Sequence, residues 1–185
     1  MKRIYIVLTY TGTILSKIIK IYTRKKYSHV SIALDEELNR MYSFGRLNPY
    51  IPFIGGFVKE GTEFGTFKRF RNTETIIFSL EITDEQYKKI IEIINSFVVK
   101  SKVYSFNILG LFLVPFHKRI IKRNCFYCAE FVRYVIENSI EDITLPEIIQ
   151  PMDFTKINRI KFEFKGKLIE FKKIREEKKF LAKNI

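Results

Sequence analysis

The stretch 83–98 constrains the fold more than any other part of the chain. Thr83-Asp84-Glu85-Gln86 reads as a capping box, in which the threonine side chain takes a free helix N–H and the glutamine reaches back to the cap. Behind it, Tyr87, Ile90, Ile91, Ile94, Phe97 and Val98 fall on one helical face. β-rich runs lie on both sides of this helix. Residues 4–9 form a compact apolar run that reads as a buried strand, and 28–34, 40–44, 67–70 and 75–80 are further strand candidates. Apolar residues recur at helical spacing over 13–22 and again over 128–137. Near the end, 162–164 and 168–171 flank Lys165-Gly166-Lys167, which predicts a hairpin. The order is strand, helix, strands, helix, helix, strands. It predicts an α+β fold with an antiparallel sheet packed against helices. Residues 45–66, with Pro49, Pro52, Gly55, Gly56, Gly61 and Gly65, read as a long loop of a kind that is often functional.

With 185 residues the chain suits one domain, taken as 1–171, followed by a charge-rich tail over 172–185 that is either a solvated helix or frayed. Hydrophobic residues at 46% and charged residues at 29% exclude disorder and a fibrous fold. The N-terminus, Met1-Lys2-Arg3 and then an apolar run, imitates a signal peptide. The run breaks at Thr9-Tyr10-Thr11-Gly12 without a cleavage site, so it reads as a strand in a cytoplasmic protein. Residues 103–116 are apolar but shorter than the roughly 20 a spanning helix needs, so no transmembrane segment is expected. The balance of 33 Lys and Arg against 20 Asp and Glu, net +13, favours anionic partners. It leaves open peripheral contact with an anionic membrane. It also supports an alternative reading as a non-catalytic basic module, using interleaved stretches such as Phe67-Lys68-Arg69-Phe70-Arg71. No nucleic-acid-binding motif is recognisable, so no specific nucleic acid is expected.

Chemistry narrows to a few side chains, because the chain has two cysteines and two histidines. Cys128 sits in the first turn of an amphipathic helix, where unpaired N–H groups and the positive end of the helix dipole favour thiolate, and Lys118, Arg119, Lys122 and Arg123 lie just upstream. A nucleophilic cysteine also needs an imidazole to carry its proton. His29, on a strand face shared with Ser31 and Ala33, is the better supplier; His117, in a loop-like basic setting, reads as an exposed residue. Cys125 reads as a small apolar residue on the approach loop. Cys125-Phe126-Tyr127-Cys128 has Cys-x-x-Cys spacing, but a structural zinc site needs four ligands and only two distant histidines are available. A thioredoxin-like pair would follow the first strand of a βαβ unit, and this one lies late in the chain. No metal or cofactor is expected.

Four segments together resemble a family. They are Tyr27-Ser28-His29-Val30-Ser31-Ile32-Ala33-Leu34-Asp35, Met41-Tyr42-Ser43-Phe44-Gly45-Arg46, Gly55-Gly56-Phe57-Val58-Lys59-Glu60 and Cys128-Ala129-Glu130-Phe131-Val132. In this order they are similar to the circularly permuted NlpC-type papain-like cysteine hydrolases, the YiiX/YaeF-like group, in which the histidine strand precedes the nucleophile helix. The opening strand and Pro151-Met152-Asp153-Phe154 extend the likeness over residues 1 to about 160. The resemblance implies a papain-like fold with Cys128 as nucleophile and His29 as general base. Ser43 stands where the family carries the residue that orients the imidazole, and Glu60 is the alternative orienter. The implied substrate is a peptide-like or lipid-like amide or ester, cleaved by an amidase- or peptidase-like hydrolase or by a lipid-acting acyltransferase on the same fold. Tyr10 or Thr11 would line the cleft.

Overall fold

The chain was described from a computed structural model covering residues 1–48, 50–116, 118, 120 and 122–183. Its frame is a six-stranded antiparallel sheet of β1 (Lys2–Tyr10), β2 (His29–Ala33), β3 (Met41–Asn48), β4 (Ile51–Glu60), β5 (Glu74–Ile82) and β8 (Lys161–Lys167), in the order β4-β3-β2-β1-β5-β8. Helices α1 (Ile14–Thr23), α2 (Gly65–Arg69), α3 (Asp84–Val99), α4 (Ile108–Leu113), α5 (Cys128–Glu137) and α6 (Leu168–Lys183) surround it. A two-residue parallel pair, β6 (Ser105–Phe106) with β7 (Cys125–Phe126), stands apart.

Both faces of the sheet are covered, which explains why the first strand reads as an unbroken apolar run. Ile4, Ile6 and Leu8 face a core closed by Ile90, Ile94 and Phe97 of α3 and by Phe131, Val132 and Val135 of α5. Tyr5 and Val7 face the other way, into a second core closed by Phe67 of α2 and by Leu168 and Phe171 of α6. The α3 capping box forms in both directions: Gln86 N–H donates to Thr83 Oγ1 at 3.1 Å, and Thr83 N–H donates to Gln86 Oε1 at 3.0 Å.

Three expectations are corrected. Residues 45–66 are mostly not loop, since β3 runs on to Asn48 and returns as β4. Gly55 and Gly56 serve close packing rather than turning: a Cβ on Gly55 would lie 2.8 Å from the Gly45 carbonyl and 2.9 Å from Phe106 Cβ, and one on Gly56 3.2 Å from the Tyr104 carbonyl. Residues 67–69 belong to the one-and-a-half-turn helix α2, entered through Gly65 at φ +61° and closed by Phe70 as its C-cap, and only Phe67 of the four is buried. The second arm of the expected C-terminal hairpin is the start of α6. Glu170 accepts the Lys167 N–H at 3.2 Å, and Leu168 and Phe171 turn inward at helical spacing. The tail is therefore helical through residue 183, continuous across the expected boundary at 171. It is strapped to the turn after β2: Arg175 bonds Glu36 and also Glu163 (3.0 Å), and Lys179 bonds Glu37 at 2.6 Å. Among the described residues no helix is long and apolar enough to cross a membrane.

Candidate active site

Cys128 is the first residue of α5. The helix starts there because the preceding residue is held on three sides. The Tyr127 hydroxyl donates to the Ile149 carbonyl at 3.0 Å, its N–H donates to the Glu130 carboxylate at 3.1 Å, and Asn107 Nδ2 steadies that carboxylate at 3.3 Å. Glu130 thus satisfies the cap, and α5 leaves the N–H groups of its first turn without intrahelical acceptors beside the sulfur. Cys128 is 2% exposed.

His29 opens β2, opposite Thr9 of β1, and meets Cys128 at one end of the sheet. Both line a cleft whose walls include Thr11, Ser28, Phe44, Phe67 and Phe106, with about 630 Å³ of empty space counting the part open to solvent.

The imidazole is clamped by a carboxylate. His29 Nε2 lies 3.0 Å from Glu60 Oε1 and 3.2 Å from Oε2, and Ser31 Oγ donates to Oε2 at 2.5 Å. Glu60 ends β4 opposite Met41 of β3, and its carboxylate lies by Gly45, where an added Cβ would stand 3.5 Å from Glu60 Oε1 and 3.6 Å from His29 Cε1. With Nε2 given to Glu60, Nδ1 is the ring nitrogen left to exchange a proton with the sulfur. Burial by itself disfavours a charged ring, but the Glu60 carboxylate and the nearby Cys128 sulfur together raise the His29 pKa from 6.5 to about 10. The ring is therefore charged at neutral pH.

Of the two residues considered for orienting the ring, Glu60 touches it and Ser43 does not. The Ser43 hydroxyl is buried and donates at 2.6 Å to the Val30 carbonyl. Ser31 was not singled out for a role, although the strand alternation that puts it on the His29 face was the signal available. Thr11 lines the cleft, whereas Tyr10 lies under Lys20, with Nζ 4.9 Å from its ring centroid. Asp153 caps its own 3-10 turn by accepting the Gln150 N–H at 2.9 Å. Cys125 is half-buried on β7 rather than buried on a loop; its sulfur lies 2.8 Å from Ser105 Oγ, and it lines a separate hollow with Lys122 and Arg133. His117 lies outside the described residues. Among those described, no group of three or more His, Cys, Asp or Glu side chains converges as a metal site would require.

Sequence reading also passed over Arg46. It lines the cleft, donates at 3.4 Å to Thr13 Oγ1 and lies over the Phe70 ring, which Arg69 flanks as well. Burial, with the Arg69 charge, lowers its pKa. No carboxylate among the described residues pairs with either guanidinium within 4 Å, although Glu60 of the same cleft acts on Arg46 from further off, so Arg46 brings positive charge to the cleft without a direct ion pair.

Comparison with protein-family models and with curated protein sequences returns no match.

Proposed function

We propose that the chain is a cysteine-dependent hydrolase that cleaves an amide or ester through a thioester intermediate. One observation carries the reading: His29 is held through Nε2 by a buried carboxylate and shares its cleft with the sulfur of a cysteine at a helix N-terminus, close enough for that sulfur to raise the pKa of the ring. Structural histidines do not need both partners, whereas nucleophilic catalysis by cysteine does. The chain order, histidine strand before nucleophile helix around an antiparallel sheet, fits the permuted NlpC-type papain-like arrangement that the sequence resembles.

In the proposed cycle the Cys128 sulfur attacks the carbonyl carbon, and a C–S bond forms as the C=O π pair moves to oxygen. The N–H groups of the first turn of α5 stabilise that oxyanion. Its collapse breaks the bond to the leaving nitrogen or oxygen, which takes the proton held on His29. The ring, now neutral, accepts a proton from water as the water oxygen attacks the thioester. Collapse of the second tetrahedral intermediate frees the acid and returns the sulfur to the ion pair. Glu60 is a positioning residue that fixes the tautomer and favours the imidazolium.

Labelling with a thiol-directed acylating probe tests this. Cys128→Ala should abolish labelling, His29→Ala should slow it by roughly a hundredfold or more near neutral pH, and Cys125→Ala should matter little. Equal labelling of both cysteines, unaffected by loss of His29, would refute the assignment.

A further inference from the structure

Helix α1 is apolar on two sides. Leu15, Ser16 and Ile19 line the cleft, while Ile14, Ile18 and Ile21 form a second row at i, i+4 and i+7 that points to solvent. Ile14 is 80% exposed and Ile21 78%. The row continues onto the next layer: Tyr22 packs edge-on against Phe112 and Phe116 at 6.1 and 5.6 Å between ring centroids. On α4, Leu111 lines the cleft while Leu109 is 69% exposed. Large side chains from two adjacent elements thus form one apolar patch beside the cleft, a feature that marks an interaction surface.

Every charge carried by α1 and α4 is positive. All 20 acidic residues of the chain lie outside residues 1–34 and 93–129, the stretches within which α1 and α4 fall. Lys17, Lys20, Arg24 and Lys25 are exposed on or just after α1, and among the described residues none has a carboxylate within salt-bridge distance. Lys118, exposed, follows α4, its N–H donating to the Leu113 carbonyl at 3.3 Å. A nucleic acid would match this charge but has no place for a row of isoleucines. A bilayer interface takes both, with apolar side chains entering the acyl boundary and cations lying among the headgroups.

We propose that the α1–α4 face is a docking surface for a bilayer containing anionic lipid. Ile14, Ile18, Ile21 and Leu109 insert, and Lys17, Lys20, Arg24 and Lys25 engage headgroup phosphates. Docking does not depend on the chemistry assigned to Cys128.

The chain contains no Trp, so a single introduced indole reports insertion without background. In the full chain, Ile21→Trp should blue-shift its emission on addition of equimolar phosphatidylcholine–phosphatidylglycerol vesicles. Val99→Trp, exposed at the far end of α3, should not. Affinity should fall more than tenfold on vesicles of phosphatidylcholine alone. It should fall about twenty-five-fold in the Lys17→Gln/Lys20→Gln double variant, at about fivefold per surface cation. Ile14→Ser with Leu109→Ser should abolish sedimentation with the anionic vesicles, and an unchanged thermal midpoint would show that both solvent-facing changes leave the fold intact. Three results would overturn the proposal: no shift for Ile21→Trp with anionic vesicles, an equal shift for Val99→Trp, or a shift that grows with protein concentration without lipid and identifies the patch as a contact between copies.

Discussion

A histidine that keeps its proton to about pH 10 serves as an acid across the neutral range, and the leaving group needs an acid. The proposed turnover should therefore hold through neutrality and fall as pH passes about 10. Glu60→Gln should draw that alkaline limb toward the ordinary histidine value, and a pH–rate profile would read the displacement directly. Stability follows the same linkage. Because the folded-state value lies above the ordinary 6.5, the stabilisation is complete below about pH 6.5 and is lost as pH rises through about 10. Urea unfolding should show stability declining over that window in the wild type, and a flatter dependence in His29→Gln. Arg46 makes a separate prediction. In a Cys125→Ala background, iodoacetate should alkylate Cys128 faster, relative to iodoacetamide, than it alkylates a free thiol. Arg46→Gln should cut that preference on the order of fivefold, and Arg71→Gln, which also removes one charge from an exposed site, should leave it nearly intact. An identical preference in both variants would remove Arg46 from the site.

Among the elements, those fixed by many residues acting together were legible in the sequence. The sixteen residues of α3 carry a two-way cap and a sustained 3.6-residue period, and α5 carries ten residues of the same period. Helix α2 has five residues, too few for any period to declare itself, and the two phenylalanines of its Phe-Lys-Arg-Phe run, three apart, span less than one turn. Hairpin β3–β4 was hidden for a different reason: glycine marks both turns and close backbone approach, and sequence alone does not distinguish the two. That misreading also put Glu60 in a loop, when its reach to His29 depends on ending a strand with its carboxylate by Gly45. Gly55→Ala tests the packing explanation. Its Cβ would meet the Gly45 carbonyl and Phe106 inside ordinary contact, so the variant should lose about 1–3 kcal/mol in denaturant unfolding. A neutral result would mean that the glycine is there for turning after all.

For the molecule as a whole, the decisive feature is a sheet with two buried faces served by different parts of the chain. One face is closed by α3 and α5, the other largely by Phe67, Leu168 and Phe171. Truncation after Lys167 should remove about 3–6 kcal/mol of apolar burial from the second face and leave Tyr5, Val7 and Met41 to bind a hydrophobic dye. A truncated protein that melts as the full chain does, without dye binding, would show that α6 is dispensable. The exposed edge strand β8 carries Lys161, Lys165 and Lys167, charges that discourage pairing with another sheet.

The position of α6 also sets an order of events during synthesis. The strands that need its cover are translated first, and Leu168 and Phe171 follow β1 by more than 150 residues, so a greasy half-sheet must wait for them. Anything that binds the nascent protein in that interval, a chaperone above all, has Tyr5, Val7, Ala33 and Ile77 as its natural handhold.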